Sequence, residues 1–289
     1  MSRLSICLVA FAVLASAPAT HATFAGGNGR IVYAAAGTDV GQSEESSYRS
    51  LQTINPNGKQ DRFVAGCQVT GGQPSAGNCE IEYGSPSWAP SGRNMVFDAG
   101  VSLALIAPNG SGLELFDPVS ANDGQPVFSP SGRRIALTGR SGSRTDIHVV
   151  DRSGSGARRL VRDGSSPDWS KRDTIAFVRR GSIHSVRSSG RGLRRLTPGR
   201  DPSWSPSGTQ IAFARSGGIY VASADGSRAR RVVRCSGCRT PAFSPDGRLL
   251  VYDGGGLRVV RVSDGKRVAT LVEDVRGAFD GSEPGWQAR

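Results

Sequence analysis

Apolar residues in this chain come in short runs of three or four, and no stretch keeps the 3.6-residue spacing of an amphipathic helix. One set of runs reads Met95-Val96-Phe97, Ile135-Ala136-Leu137, Ile175-Ala176-Phe177, Ile211-Ala212-Phe213 and Leu250-Val251-Tyr252. A second follows each of these, as in Leu103 to Ile106, Ile147 to Val150, Ile183 to Val186, Ile219 to Val221 and Leu257 to Val260. Turn pairs then intervene (Asn109-Gly110, Ser153-Gly154, Ser189-Gly190, Asp225-Gly226, Asp264-Gly265), and a further run closes the unit, as in Arg159-Leu160-Val161. Each unit therefore predicts a few short antiparallel strands joined by glycine-bearing turns, and an all-β fold.

A marker opens each unit. Pro86-Ser87-Trp88-Ala89-Pro90-Ser91-Gly92 recurs as Pro126 to Gly132, Pro202 to Gly208 and Pro241 to Gly247, with a degenerate copy at Pro167-Asp168-Trp169-Ser170. The leading prolines stand 40, 41, 35 and 39 residues apart, a period that points to propeller blades. With the Pro-x-aromatic run as the innermost strand, every unit supplies four strands. Proline opens that strand, where a missing N–H costs least, and the aromatic is an anchor for an interblade core.

The two ends of the chain complete the count. Asn28-Gly29-Arg30-Ile31-Val32-Tyr33 matches Asp246-Gly247-Arg248-Leu249-Leu250-Val251-Tyr252 but lacks a Pro-x-Trp ahead of it, and Pro284-Gly285-Trp286 supplies that piece. Joined, they make a sixth blade whose innermost strand comes from the C-terminus. The prediction is a six-bladed β-propeller of four-stranded antiparallel blades over residues 23–289, closed by a seam that leaves no long exposed edge.

The Pro-x-Trp-Ser-Pro-x-Gly-x-x-Ile-Ala-Phe pattern resembles the WD40-like propeller repeats of the TolB type, across nearly all of the chain after its first segment. The degenerate copy departs from that pattern, with Ser170-Lys171-Arg172-Asp173 in place of Ser-Pro-x-Gly. TolB carries an α/β domain ahead of its propeller, and nothing here is expected to form one, so the resemblance implies a propeller standing alone. It also implies a protein-protein interaction role, without carrying TolB's own partners across.

Residues 1–22 read as a secretory signal: Arg3, an apolar stretch from Leu4 to Ala17, and Thr20-His21-Ala22 as a small-x-small cleavage site. The expected mature protein is exported, to a periplasmic, cell-envelope or extracellular compartment, with no transmembrane segment. Four cysteines remain after cleavage, and an oxidising compartment favours pairing. Two local disulfides are predicted, Cys67–Cys79 and Cys235–Cys238. A redox Cys-x-x-Cys needs a helix N-terminus to stabilise its thiolate, yet Cys238 runs into a predicted strand. A four-cysteine zinc site would need loops two blades apart to meet.

Charge then divides the chain. The net charge is +12, and residues 133–267 hold 28 Lys/Arg against 10 Asp/Glu while residues 1–132 hold 6 against 10. Arg158, Arg159, Arg194, Arg195, Arg230 and Arg231 all fall beside the outermost strand of a blade. They read either as protection of sheet edges or as a surface for an anionic polymer, membrane or partner. Export and the lack of interleaved aromatics count against nucleic acid.

No nucleophile elbow, phosphate-binding loop or His-Glu-x-x-His occurs, and no cofactor or metal is expected. His148 and His184 sit in the same repeat position, where the next unit has Tyr220. A ligand site, if present, belongs at the channel mouth where the innermost strands begin. The residues there are Ser85, Gln125, Ser166, Asp201, Thr240 and Glu283, with Asp168 one step inside. Three functions follow in order: an exported non-enzymatic interaction or scaffold module for an envelope or extracellular protein, with the chain a monomer; a binder of anionic polymer or membrane through the arginine arc; and a channel-mouth hydrolase or lyase.

Overall fold

In a computed structural model, residues 28–40, 45–70, 73–77, 81, 83–120, 123–141, 144–273 and 284–288 are described. The predicted signal segment, Cys79 and Glu283 lie outside these residues. Among them every regular element is a strand.

The first sheet contains β1 (Asn28–Val40), β2 (Glu45–Ile54), β3 (Arg62–Thr70) and β4 (Gln73–Gly77). The second blade is β5 (Gly84–Trp88), β6 (Met95–Asp98), β7 (Leu103–Ile106) and β8 (Glu114–Phe116). The third is β9 (Gly124–Phe128), β10 (Arg134–Ser141), β11 (Arg144–Asp151) and β12 (Arg158–Val161). The fourth is β13 (Ser165–Trp169), β14 (Thr174–Arg179), β15 (Ser182–Arg187) and β16 (Arg194–Pro198). The fifth runs β17 (Arg200–Trp204), β18 (Gln210–Arg215), β19 (Gly218–Ser223) and β20 (Arg230–Arg234). The sixth runs β21 (Arg239–Phe243), β22 (Leu249–Asp253), β23 (Gly256–Arg261) and β24 (Arg267–Glu273), and β25 (Gly285–Ala288) ends the chain.

Six antiparallel sheets result. The second to sixth hold four strands each, and the first has the order β25-β1-β2-β3-β4. The seam is therefore present: β25 pairs with β1, setting Ile31 opposite Trp286. Trp286 is 2% exposed and donates its indole N–H to the Ala242 carbonyl at 3.2 Å, tying the seam blade to the sixth. Gln287 reaches the other neighbour, donating to the Gly92 carbonyl at 3.0 Å. The seam blade carries one strand beyond the predicted four, because β3 turns back on itself and pairs with β4.

Apolar area is buried between blades rather than inside them. One cluster joins Val96 and Leu103 of the second blade, Phe128, Ile135 and Ile147 of the third, and Trp169 and Phe177 of the fourth. This explains why the runs are apolar on both faces: each sheet is sandwiched by its neighbours. Trp88, Phe128, Trp169, Trp204, Phe243 and Trp286 are all buried.

The repeated serine holds the turn that follows each aromatic. Ser129 Oγ accepts from the Arg134 N–H at 3.0 Å, Ser205 from Gln210 at 3.0 Å and Ser244 from Leu249 at 2.9 Å. Gly132 closes its turn with φ of 69°, a value glycine reaches without steric cost. In the degenerate blade Asp173 takes that left-handed place at 58°. Its carboxylate accepts from the Trp169 indole at 3.1 Å and from the Ser188 hydroxyl at 2.5 Å. The departure from the repeat thus keeps the turn and adds two side-chain bonds.

Candidate functional site

The inner strands start at one end of the ring, the end that also carries the β10–β11, β14–β15 and β18–β19 hairpins. Each described residue before a Pro-x-aromatic segment has a left-handed backbone: φ is 46° at Ser85, 53° at Gln125, 51° at Ser166, 52° at Asp201 and 53° at Thr240. A register shift in the inner-strand pairing accompanies every one of them. A helical conformation is disfavoured before proline, and a bulge turns the strand into the channel wall. These five positions thus repeat one conformation while their side chains differ.

Those side chains serve the ring. Gln125 Oε1 accepts from the Ser166 N–H and from the Thr138 hydroxyl, both at 2.8 Å. Asp201 Oδ2 accepts from the Thr240 N–H at 3.2 Å and faces Arg200 at 3.6 Å. Asp201 is pushed above the usual carboxylate range by burial, which outweighs the Thr240 bond and the charges of Arg200 and Arg239. Ser85, Ser166 and Thr240 are buried too, so among the described residues the predicted mouth, with half-buried Gln125, forms a packed collar.

One step inside, the residue between proline and aromatic bonds to the next blade. Asp168 Oδ2 accepts from the Trp204 N–H at 2.5 Å, and Ser203 Oγ accepts from the Phe243 N–H at 3.4 Å. Asp168 is fully buried, and burial lifts its pKa well above the ordinary value despite the Trp204 and Trp169 N–H groups. Its other oxygen, Oδ1, has no hydrogen-bond partner, which fits a neutral acid better than a carboxylate.

The six arginines separate into two rows, because consecutive strand residues point to opposite faces. Arg158, Arg194 and Arg230 each donate to a carbonyl in the next blade: Ser188 at 2.6 Å, Ala224 at 3.4 Å and Val262 at 2.6 Å. They clamp neighbouring blades, a role their sequence position did not reveal. Arg159, Arg195 and Arg231 form the other row, opposite His148, His184 and Tyr220. Arg159 faces Asp146 at 3.4 Å, while Arg195 donates to Ser182 Oγ at 3.1 Å. The slot held by this second row is Phe63 in the first blade and Leu115 in the second, set opposite Gln52 and Ala104. Both are exposed, at 68% and 52%. The outer rim thus changes from apolar to cationic around the ring, a contrast visible only once strand register assigns equivalent positions.

Cys235 and Cys238 form the predicted disulfide, with Cα atoms 5.9 Å apart. Cys67 is also disulfide-bonded; its predicted partner Cys79 lies outside the described residues. His148 and His184 pack within their blades, His184 stacked on Phe177 at 5.6 Å between centroids. Among the described residues no group of three or more His, Cys, Asp and Glu side chains could hold a metal, and no helix is long and apolar enough to cross a membrane.

No family model matches the chain. It is 31% identical over 105 residues to the Tol-Pal system protein TolB of Gluconobacter oxydans, a stretch covering 32% of this chain and 23% of that protein. It is 38% identical over 92 residues to the Tol-Pal system protein TolB of Anaeromyxobacter dehalogenans, covering 29% of this chain and 21% of that protein. The match thus spans less than a quarter of the length of either curated relative. The crystal structure of TolB from Acinetobacter baumannii superposes with a TM-score of 0.68 at 18% identity, over 90% of this chain and 67% of that one. A gluconolactonase from Xanthomonas campestris shares the ring more loosely, with a TM-score of 0.54 at 16% identity over 67% of this chain and 76% of that one. A ring shared that widely does not separate a binder from an enzyme. The recurrent Pro-x-aromatic blades, the seam that closes them and the likeness to TolB in both repeat sequence and blade arrangement make this chain a TolB-like six-bladed β-propeller.

Proposed function

We propose that the protein is an exported, non-enzymatic interaction module that holds another envelope or extracellular protein against its rigid ring. The observation that carries this reading is the exposed apolar pair Phe63 and Leu115, on adjacent blades in the slot where three other blades place arginine. Leu113, two residues before Leu115, is 38% exposed. Large exposed apolar side chains in a slot that other blades fill with arginine favour protein contact over solvation. The Thr20-His21-Ala22 motif behind an apolar stretch supports export, and the TolB relatives support a protein partner. The buried, mutually bonded collar leaves few free groups for channel-mouth chemistry.

Crosslinking the mature protein in its own envelope fraction, then capturing it at low and high salt, tests this reading. A discrete partner should be retained at high salt and lost on Phe63→Asp with Leu115→Asp, while the ring still melts as a folded protein. Capture that salt abolishes and the double variant leaves untouched would refute it.

A further inference from the structure

In the fifth blade, Phe213 lies opposite Tyr220, and Tyr220 lies opposite Arg231. Arg215, two residues beyond Phe213, shares that face at the hairpin end. The Tyr220 ring stacks on Phe213 at 5.8 Å between centroids, and the Arg215 guanidinium sits over the Tyr220 ring, 4.1 Å from its centroid. Arg215, chiefly, and Arg231 favour the ionised phenol of Tyr220 and draw it below its usual range. Gly217 borders the same spot. A Cβ there would stand 3.5 Å from a terminal nitrogen of Arg231 and 3.7 Å from the Tyr220 oxygen, so the missing side chain leaves the approach open.

Two guanidiniums thus flank one phenol, Arg215 over its ring and Arg231 across the strand pairing, and among the described residues neither meets a carboxylate at ion-pair distance. Some other arginines do meet a carboxylate: Arg159 at Asp146, Arg180 at Asp163, Arg200 at Asp201 and Arg239 at Asp253. Each guanidinium offers five N–H donors in a fixed fork, so most of those at this site remain available. Stacking on Tyr220 holds Arg215 in place, which lowers the ordering cost of binding.

We propose that Arg215, Tyr220 and Arg231 form a binding site for a phosphate monoester, two arginine forks embracing a doubly charged tetrahedral oxyanion beside the phenol. Two forks suit an anion with three terminal oxygens better than a single carboxylate. The fourth blade carries the same pattern in register, with Arg179, His184 and Arg195. A phosphorylated chain or surface could therefore engage two neighbouring blades. The site stands apart from the apolar rim of Phe63 and Leu115, so it can fail while the interaction reading holds.

The test is calorimetric titration of the folded chain with inorganic phosphate at constant ionic strength, followed by flotation with phosphatidylcholine vesicles with and without phosphatidic acid. Saturable phosphate binding should weaken about tenfold in Arg215→Gln and in Arg231→Gln, the loss of one charge-assisted contact, and stay unchanged in the control Arg228→Gln on the turn before β20. Flotation only with phosphatidic acid would assign the phosphate to a lipid headgroup; phosphate binding without flotation would assign it to a soluble or polymer-borne ester. Absence of saturable phosphate binding, or an equal loss in Arg228→Gln, would overturn the site.

Discussion

Trp286→Ala tests the seam. Trp286 sits opposite Ile31 and packs with Tyr33, Ile54, Ala242, Val251 and Leu257. Truncating a buried tryptophan to alanine costs about 3–5 kcal/mol from lost transfer and the cavity left behind. The indole bond to the Ala242 carbonyl adds about 1 kcal/mol. The expected loss is therefore about 4–6 kcal/mol, and for a domain of this size each kcal/mol lowers Tm by about 2–4 °C. The sum corresponds to a fall of about 8–24 °C. Trp286→Phe keeps an aromatic in the slot and removes the indole N–H, so it should cost about 1–2 kcal/mol. Circular dichroism melting of both variants, with urea midpoints as a second measure, resolves the two values. A Trp286→Ala protein within about 1 kcal/mol of the parent would mean that β25 does not close the ring.

Asp168 gives a pH signature. Its folded pKa lies above its unfolded one, so below the ordinary carboxylate value near 3.8 both states are neutral and there is no penalty. As pH rises past that value the unfolded chain ionises while the folded one resists, and stability falls until the raised pKa is passed. Asp168→Asn keeps an acceptor for the Trp204 N–H and should flatten that fall, with higher urea stability at neutral pH; parallel stability curves for parent and variant from pH 4 to 7 would contradict it. Asp168→Ala orphans the Trp204 N–H and should cost about 1–3 kcal/mol at any pH. Arg158→Lys retains charge on the rim but not the clamp on Ser188, so it should lose about 1 kcal/mol by denaturant unfolding; edge protection by charge alone predicts no change. Removing the Cys235–Cys238 bond frees a very short loop, so the entropy model expects only about 2 kcal/mol, read as the difference in urea midpoint between the parent and a C235S/C238S variant that keeps the Cys67 disulfide.

Much of the ring was legible because its blades repeat. Pro-x-aromatic runs, glycine turns and the divided copy at the chain ends are local signals, and the seam pairing of Ile31 with Trp286 follows from matching them. The fifth strand of the seam blade was not legible, since Gln73 to Gly77 carries no repeat signature and pairs only because β3 folds back. The collar was read as a row of variable, ligand-facing residues. Left-handed backbones at five of those positions are imposed by the bulge each strand needs to enter the ring, and no residue type announces such a conformation when Ser, Gln, Asp and Thr all adopt it.

The repeating four-strand unit, the six-fold count and the place where the ring closes were legible along the chain, because they depend on hydrophobic period and turn chemistry. Packing between blades settled which arginine of each pair clamps a neighbour, as Arg230 does at Val262, and which lies on the opposite face, as Arg231 does across from Tyr220. It also decided that Phe63 and Leu115 share the arginine slot, and that Asp168 is fully buried against Trp204. The reason is geometric. A strand alternates its side chains between two faces, and what each face meets is set by the blade beside it, some 40 residues away in the chain.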